Sequence, residues 1–276
     1  MRLIKYLFYG FVSGFAELIP VSGLAHQQLM QYTLGIEDGQ PVLDLLIHIA
    51  ILLSVFVGCL PTLSRLRKER HYQRRHREAR TRNRDMRSAY ELRMVKTAVV
   101  PMLLIMLLYT YLSAAAFNLV TLIFTSLLSG AVLLITDYMR HGNKDSRHIS
   151  ALDAILLGIV SGFSIIPGIS RVGMSLSFTT ARGADQKHGY TWALLLSIPV
   201  LVLLVILDGI ALFTAGAGVL SVLLTLIYLA AAVAAFAGGY AGITFINYLA
   251  VRTGFSGLGY YNLGVGIFSF ILFLIT

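Results

Sequence analysis

Glu17, His26 and Arg171 are ionisable residues set inside otherwise apolar sequence, with Ser22 between the first two. Ionisable groups in an apolar segment are costly to keep and by default mark function. His26 follows Ser22 by four residues, so on a helix both face one way. A histidine titrating near the operating pH suits general acid/base work or a phosphohistidine-type role. Ser22 is a candidate hydroxyl nucleophile that His26 could activate. Around Arg171 the sequence reads Pro167-Gly168-Ile169-Ser170-Arg171-Val172-Gly173, a Pro-Gly break just before a helix start. Ser170 is placed to cap that helix. The free N–H groups from Gly168 to Gly173 and the helix dipole then favour a phosphate. Arg171 adds a two-pronged donor, and Ser175 adds a hydroxyl on roughly the same face. Glu17 has three candidate roles: it orients His26, holds a cation, or forms a structural ion pair with Arg171.

The elements that carry these residues follow from composition. The chain has 276 residues, 57% apolar and 13% charged, against about 25% charged in a typical soluble domain. Residues 64–96 alone hold 17 of the 35 charged side chains. Such depletion elsewhere excludes an ordinary soluble globule, and the apolar mass excludes disorder. The apolar runs are continuous rather than alternating, which argues against a barrel. The expected fold class is therefore an all-α polytopic membrane protein. Six stretches are long enough to span, near 42–63, 95–116, 118–139, 190–213, 217–249 and 257–276. Cys59 lies within one of them and reads as filler; a lone cysteine excludes a disulfide framework and a cysteine metal site. Trp192, near a span start, reads as an interfacial anchor. No cleavable signal peptide is expected.

Two further apolar stretches, 3–35 and 150–182, are broken in the middle by Pro, Gly, Ser and charge. Each reads as a re-entrant helical hairpin, because irregular backbone at membrane depth must be buried in protein or line a wet cavity. They resemble each other. Gly10-Phe-Val-Ser-Gly-Phe15 matches Gly158-Ile-Val-Ser-Gly-Phe163, and Ile-Pro20 matches Ile-Pro167. The expected organisation is an inverted repeat. Residues 1–140 carry hairpin 3–35, three spans and the basic loop 64–93; residues 149–276 carry hairpin 150–182 and three spans.

Charge sets the expected orientation. Residues 64–96 hold 13 Lys/Arg against 4 Asp/Glu, and between spans such an excess marks the cytoplasmic side. The short loops at 140–148 and 182–188 and Arg252 then also fall inside, and Glu37, Asp38, Asp44 and Asp208 fall outside. Arg2 and Lys5 go against this trend. The basic loop 64–93 is expected to meet anionic lipids rather than nucleic acid. The hairpin tips should meet near the midplane.

These residues resemble the bacterial undecaprenyl-diphosphatase family of the bacitracin-resistance type, nearly end to end. The resemblance rests on Gly14-Phe-Ala-Glu17-Leu-Ile-Pro20-Val-Ser22 with His26, on Asp44-Leu-Leu-Ile-His48, on Ile166-Pro167-Gly168-Ile169-Ser170-Arg171, and on Leu195-Leu-Ser197-Ile-Pro199. It implies a multi-pass enzyme of the bacterial inner membrane with a site open to the outer face. It implies removal of the terminal phosphate of a C55 polyprenyl diphosphate, to give the monophosphate carrier of cell-wall glycan synthesis. It also implies a divalent cation, Mg or Ca, with Glu17 as the tip carboxylate to hold it. Three departures stand out. Ser13 replaces the family's Glu or Gln, Gly23 replaces the second of two serines, and Arg171-Val-Gly-Met-Ser175 replaces Arg-Ser-Gly-Ala-Thr. The loss of that second serine leaves Ser22, His26 or a water as nucleophile.

Two functions fit. The first is the phosphatase, with Arg171, Ser170, Ser175, Gly168 and Gly173 on the diphosphate and with His26, Glu17 and Ser22 as catalytic residues. The second is a non-catalytic or weakly catalytic polyprenyl-phosphate binder or translocase on the same scaffold. The sequence fixes neither prenyl length nor oligomeric state, and a homodimer is allowed.

Overall fold

A computed structural model describes residues 2–36, 41–75, 86–112, 118–139, 142–144, 146–215, 221–252 and 254–275. The first hairpin is α1 (Arg2–Leu18) and α2 (Gly23–Leu34). The spans α3 (Pro41–Arg75), α4 (Met86–Leu112) and α5 (Leu119–Tyr138) follow. The second hairpin is α6 (Ala151–Gly162) and α7 (Arg171–Ala181), and the spans α8 (Gln186–Ala215), α9 (Val222–Arg252) and α10 (Ser256–Ile275) complete the chain. Helix is the expected answer for such sequences, because within lipid each backbone group must be satisfied inside its own segment. Six of these helices, α3, α4, α5, α8, α9 and α10, are long and apolar enough to cross a membrane. The protein is an all-α polytopic membrane protein.

Close backbone approach at small residues sets the packing. The first hairpin's α1 lies against α9, and a Cβ on Gly10 would fall 2.1 Å from the Ala231 carbonyl oxygen. The second hairpin's α6 lies against α4 in the same way, and a Cβ on Gly158 would fall 2.1 Å from the Ala98 carbonyl oxygen. Each hairpin thus packs on the second span of the other half. The first spans, α3 and α8, also pack together, as do the third spans, α5 and α10. Asp137, near the end of α5, accepts from the Phe255 and Ser256 backbone N–H groups and so caps α10.

One expectation changes here. Trp192 is 1% exposed and sits in a core of α4, α6 and α8 side chains with Met94, Ala154 and Leu196, so it is not an interfacial anchor. Met94 on α4 and Ala154 on α6 share that core, so neighbouring helices cover the indole. Asp208 lies within α8, as the span 190–213 has it, and it accepts from His48 Nδ1 on α3 at 2.6 Å. Cys59 is buried, as filler would be. In the basic segment, Arg65 on α3 donates to Ser88 and Glu91 on α4, which ties the two helix ends together. Residues 76–85 of the basic loop, the 36–44 loop's residues 37–40, and the side chain of Arg252 lie outside the described residues.

Candidate active site

The two hairpin tips touch. In the first, α1 ends at Leu18, the chain turns through Ile19-Pro20-Val21, and Ser22 caps α2 by accepting from Ala25 N–H at 3.3 Å. In the second, the break at Pro167-Gly168 needs a positive φ of 93° at Gly168, a backbone region that favours glycine. Ser170 then caps α7, its Oγ accepting from Gly173 N–H at 3.0 Å. Across the junction Gly168 N–H donates to Ser22 Oγ at 3.0 Å.

Each tip is held by the third span of the opposite half. Asn262 on α10 donates to the Pro20 carbonyl at 2.9 Å. Thr125 on α5 donates to the Pro167 carbonyl at 2.6 Å, and Ser129 donates to the Gly168 carbonyl at 2.7 Å. Tyr190 on α8 adds a bond to the Leu18 carbonyl at 3.1 Å. These donors satisfy backbone groups that neither helix nor water can reach.

Arg171 opens α7 and is 6% exposed. Its Nη2 donates to Glu17 Oε1 at 2.8 Å and its Nε to Ser197 Oγ at 3.2 Å. The carboxylate reaches it because Gly23 leaves room: a Cβ there would lie 1.9 Å from Glu17 Oε2. The departure at position 23 and the Glu17–Arg171 pair are therefore one structural feature. Glu17, Ser22, Gly23, Ser164 and Arg171 line a cavity of about 20 Å³, walled by Met106 and Val200. That is roughly the room of one water, so the tips are closed on each other.

The sequence brings Glu17, Ser22 and Arg171 to this one cavity. His26 goes elsewhere. Its Nδ1 bonds the Ser22 carbonyl oxygen at 2.7 Å and its Nε2 bonds the Tyr261 hydroxyl at 2.8 Å. The two rings stack beside an open apolar groove that also takes in Phe8, Leu29 and Phe268. The Ser22 hydroxyl that His26 was expected to activate instead accepts from two backbone N–H groups. Four residues after an N-cap is one full turn, so the His26 ring meets the Ser22 carbonyl and not its hydroxyl.

The phosphate cradle is also partly filled. Gly168 N–H serves Ser22, Ser170 N–H reaches Ser129 Oγ at 3.3 Å, and Gly173 N–H serves Ser170. Ser175 is fully buried and bonds Ser161 Oγ at 2.8 Å, away from the cavity. The groups that remain for an anion are Arg171, the first turn of α7 and the Ser164 hydroxyl. The divalent cation that the resemblance implies fits poorly. Among the described residues no three His, Cys, Asp or Glu side chains converge, and the sole carboxylate at the cavity is engaged by Arg171. Magnesium needs at least one or two free carboxylates beside the phosphates.

Sequence reasoning did not assign Ser197, Asn262, Tyr261, Ser129 or Thr125. All are polar positions in apolar spans, some single (Ser129, Ser197) and some in short groups (Thr125-Ser126, Tyr260-Tyr261-Asn262), which is the signal that could have found them.

Fold and site together define a polytopic membrane protein with two opposed hairpins and a buried Arg–Glu pair at their junction. Residues 6–268 match the family described as Bacitracin resistance protein BacA, and the chain belongs to it. An undecaprenyl-diphosphatase of Halothermothrix orenii is 25% identical over 99% of this chain and 98% of its own length. Undecaprenyl-diphosphatase 3 of Bacillus cereus is 26% identical over 97% and 96%. Undecaprenyl-diphosphatase 1 of Halalkalibacterium halodurans is 30% identical over 72% and 71%.

Proposed function

We propose that this protein removes the terminal phosphate of undecaprenyl diphosphate, leaving the lipid monophosphate in the membrane. The observation that carries the reading is Arg171, a buried guanidinium at a capped helix start, at the meeting point of two hairpin tips. Such a group is an anion clamp held ready in a low-dielectric site. In this reading the diphosphate takes the place of Glu17 on Arg171, and the freed carboxylate accepts the proton that the attacking water sheds. Water attacks the terminal phosphorus. Its oxygen forms the new P–O bond, the anhydride P–O bond breaks, and the electron pair leaves with the lipid monophosphate. Ser22 holds the two tips in register. His26, beside the apolar groove, orients its side of the first hairpin through Tyr261. The two halves act as inverted copies, a reading supported by their reciprocal packing. Loop 64–93 lies in the cytoplasm of a bacterial inner membrane, against anionic lipid, and the site opens to the other face when the tips part.

The test is phosphate release from C55 diphosphate by the purified chain, with and without chelator. Release that is lost in Arg171→Ala supports the reading, and no release at any pH or metal content sinks it. A second reading, a binder or translocase of the same lipid, is favoured by the Ser22 hydroxyl, which accepts from two backbone N–H groups and has no base on it among the described residues. Headgroup translocation in vesicles without phosphate release would select it.

A further inference from the structure

The two hairpins differ at their bases. Gly10 and Gly158 hold the same place in the shared element, and they meet α9 and α4 in the same way. One turn before Gly10 stands Tyr6, whose ring packs against Tyr228 on α9 with centroids 5.5 Å apart. One turn before Gly158 stands Ala154. A methyl group cannot fill the space of a ring, and a cavity of about 220 Å³ lies between α4 and the start of α6, bordered by Ala154. None of its lining residues lines the junction cavity.

The α4 wall of this cavity is polar. Tyr90, Arg93 and Thr97 line it at helical spacing and so share one face. None of the three side chains has a hydrogen-bond or ion-pair partner among the described residues. The nearby carboxylate on this helix, Glu91, is taken by Arg65. The α6 side is mostly apolar, with Ile149, Ala151 and Ala154. Ser150 there is spent on its capping box with Asp153, and Arg182 holds the Asp153 carboxylate. The charged group that lines the cavity is therefore Arg93, and it lacks a counter-charge.

Position narrows the ligand. The apolar span of α4 begins at Ser88. Arg93 is five residues on, close enough to that end for its long side chain to reach the head-group layer. A divalent cation is repelled by the guanidinium, and a neutral solute leaves it unpaired. An anion with an apolar body uses both walls. Phosphate oxygens take the guanidinium fork and the two hydroxyls, and the apolar part lies against Ile149 and Ala154. The basic excess of residues 64–96 draws anionic lipid to this edge of the membrane.

We propose that Tyr90, Arg93 and Thr97 form a site for the phosphate head group of an anionic phospholipid, wedged between α4 and the base of the second hairpin. The lipid there does what the Tyr6–Tyr228 pair does in the first half: it holds a hairpin to its partner span. The site owes nothing to the hydrolase reading.

The test is native mass spectrometry of the full chain released from nanodiscs of equal parts phosphatidylglycerol and phosphatidylcholine. The unmutated chain is expected to keep phosphatidylglycerol in preference, and Arg93→Gln to keep about tenfold less, as loss of a charge-assisted bond does. Ala154→Tyr leaves every charge in place and supplies the ring that the first hairpin carries, and it should lose the lipid as fully. If that variant does not fold, Thr97→Leu at a half-buried position fills the cavity from α4. Equal retention of the two lipids by the unmutated chain overturns the site. Retention unchanged in Arg93→Gln does so as well. Loss in Arg93→Gln with full retention in the cavity-filling variant also overturns it, because surface charge alone would then hold the lipid. Displacement of the lipid by millimolar inorganic phosphate makes the free anion the occupant and overturns the lipid assignment.

Discussion

In the second hairpin Ser161 bonds Ser175 across the helix pair at 2.8 Å, and both are fully buried. In the first, Ser13 holds the matching place in the Gly-x-Val-Ser-Gly-Phe element, and its hydroxyl has no hydrogen-bond partner among the described residues. The second hairpin also spends three backbone N–H groups on Ser22, Ser129 and Ser170. Its one charged tip residue, Arg171, is fixed by Glu17 and Ser197. The first hairpin supplies the acid and the glycine that admits it. Matching serines in two similar sequences thus differ: Ser161 is paired across its hairpin and Ser13 is not, although the second hairpin has an unmatched hydroxyl of its own at Thr180. A hydroxyl pair closed across two helices ties them together, and a hydroxyl left unpaired at the matching place does not.

The largest break in this comparison comes from removing the clamp. Arg171→Ala is expected to lower phosphate release by about 10²–10³, as loss of a preorganised charge does. It also leaves Glu17 buried alone, which should cost about 3 kcal/mol of stability. Arg171→Lys separates the two effects, since it keeps the charge and loses the fork. Turnover beside thermal unfolding in detergent checks both.

Next is Gly23→Ala. Its methyl group would overlap the Glu17 carboxylate and also meets the α1 backbone at 2.9 Å. Overpacking of this kind costs about 1–3 kcal/mol, read as a lower unfolding temperature. If Gly23→Ala unfolds at the unmutated temperature, the acid is not seated as described.

The hydroxyl pair gives a smaller and sharper contrast. Ser161→Ala strands Ser175 and should cost about 1 kcal/mol, and Ser13→Ala, whose hydroxyl has no partner among the described residues, should cost less. Equal losses would show that the two hairpins are not in different states.

The smallest effect is at the mouth of the second hairpin. Burial alone raises the Asp153 pKa, but hydrogen bonds from the Ser150 hydroxyl and backbone, and the Arg182 guanidinium at 2.6 Å, outweigh it and leave the pKa below the ordinary value. A carboxyl lowered on folding stabilises above its unfolded pKa, and the gain is lost as pH falls through the folded value. Asp153→Asn should therefore unfold earlier than the unmutated chain near neutral pH, and the gap should close as the solution is made acid. Arg182 is half exposed, so the gap is modest.

Much of the protein was legible in the sequence. Continuous apolar runs give helices, because lipid offers the backbone no other partner. Two runs broken by Pro, Gly and charge give hairpins. Glu17 and Arg171 stood out because ionisable groups in apolar sequence are rare. The direction of His26 was not legible. It depends on where α10 puts Tyr261, a contact 235 residues away in the chain. The closing of the phosphate cradle was equally hidden, since Ser22 and Ser129 reach its N–H groups from other elements. Local spacing says which residues share a face. Which partner waits opposite that face is decided when separate helices pack, and in this protein that packing splits one expected site into a clamp at the tips and a stacked His26–Tyr261 pair beside the groove.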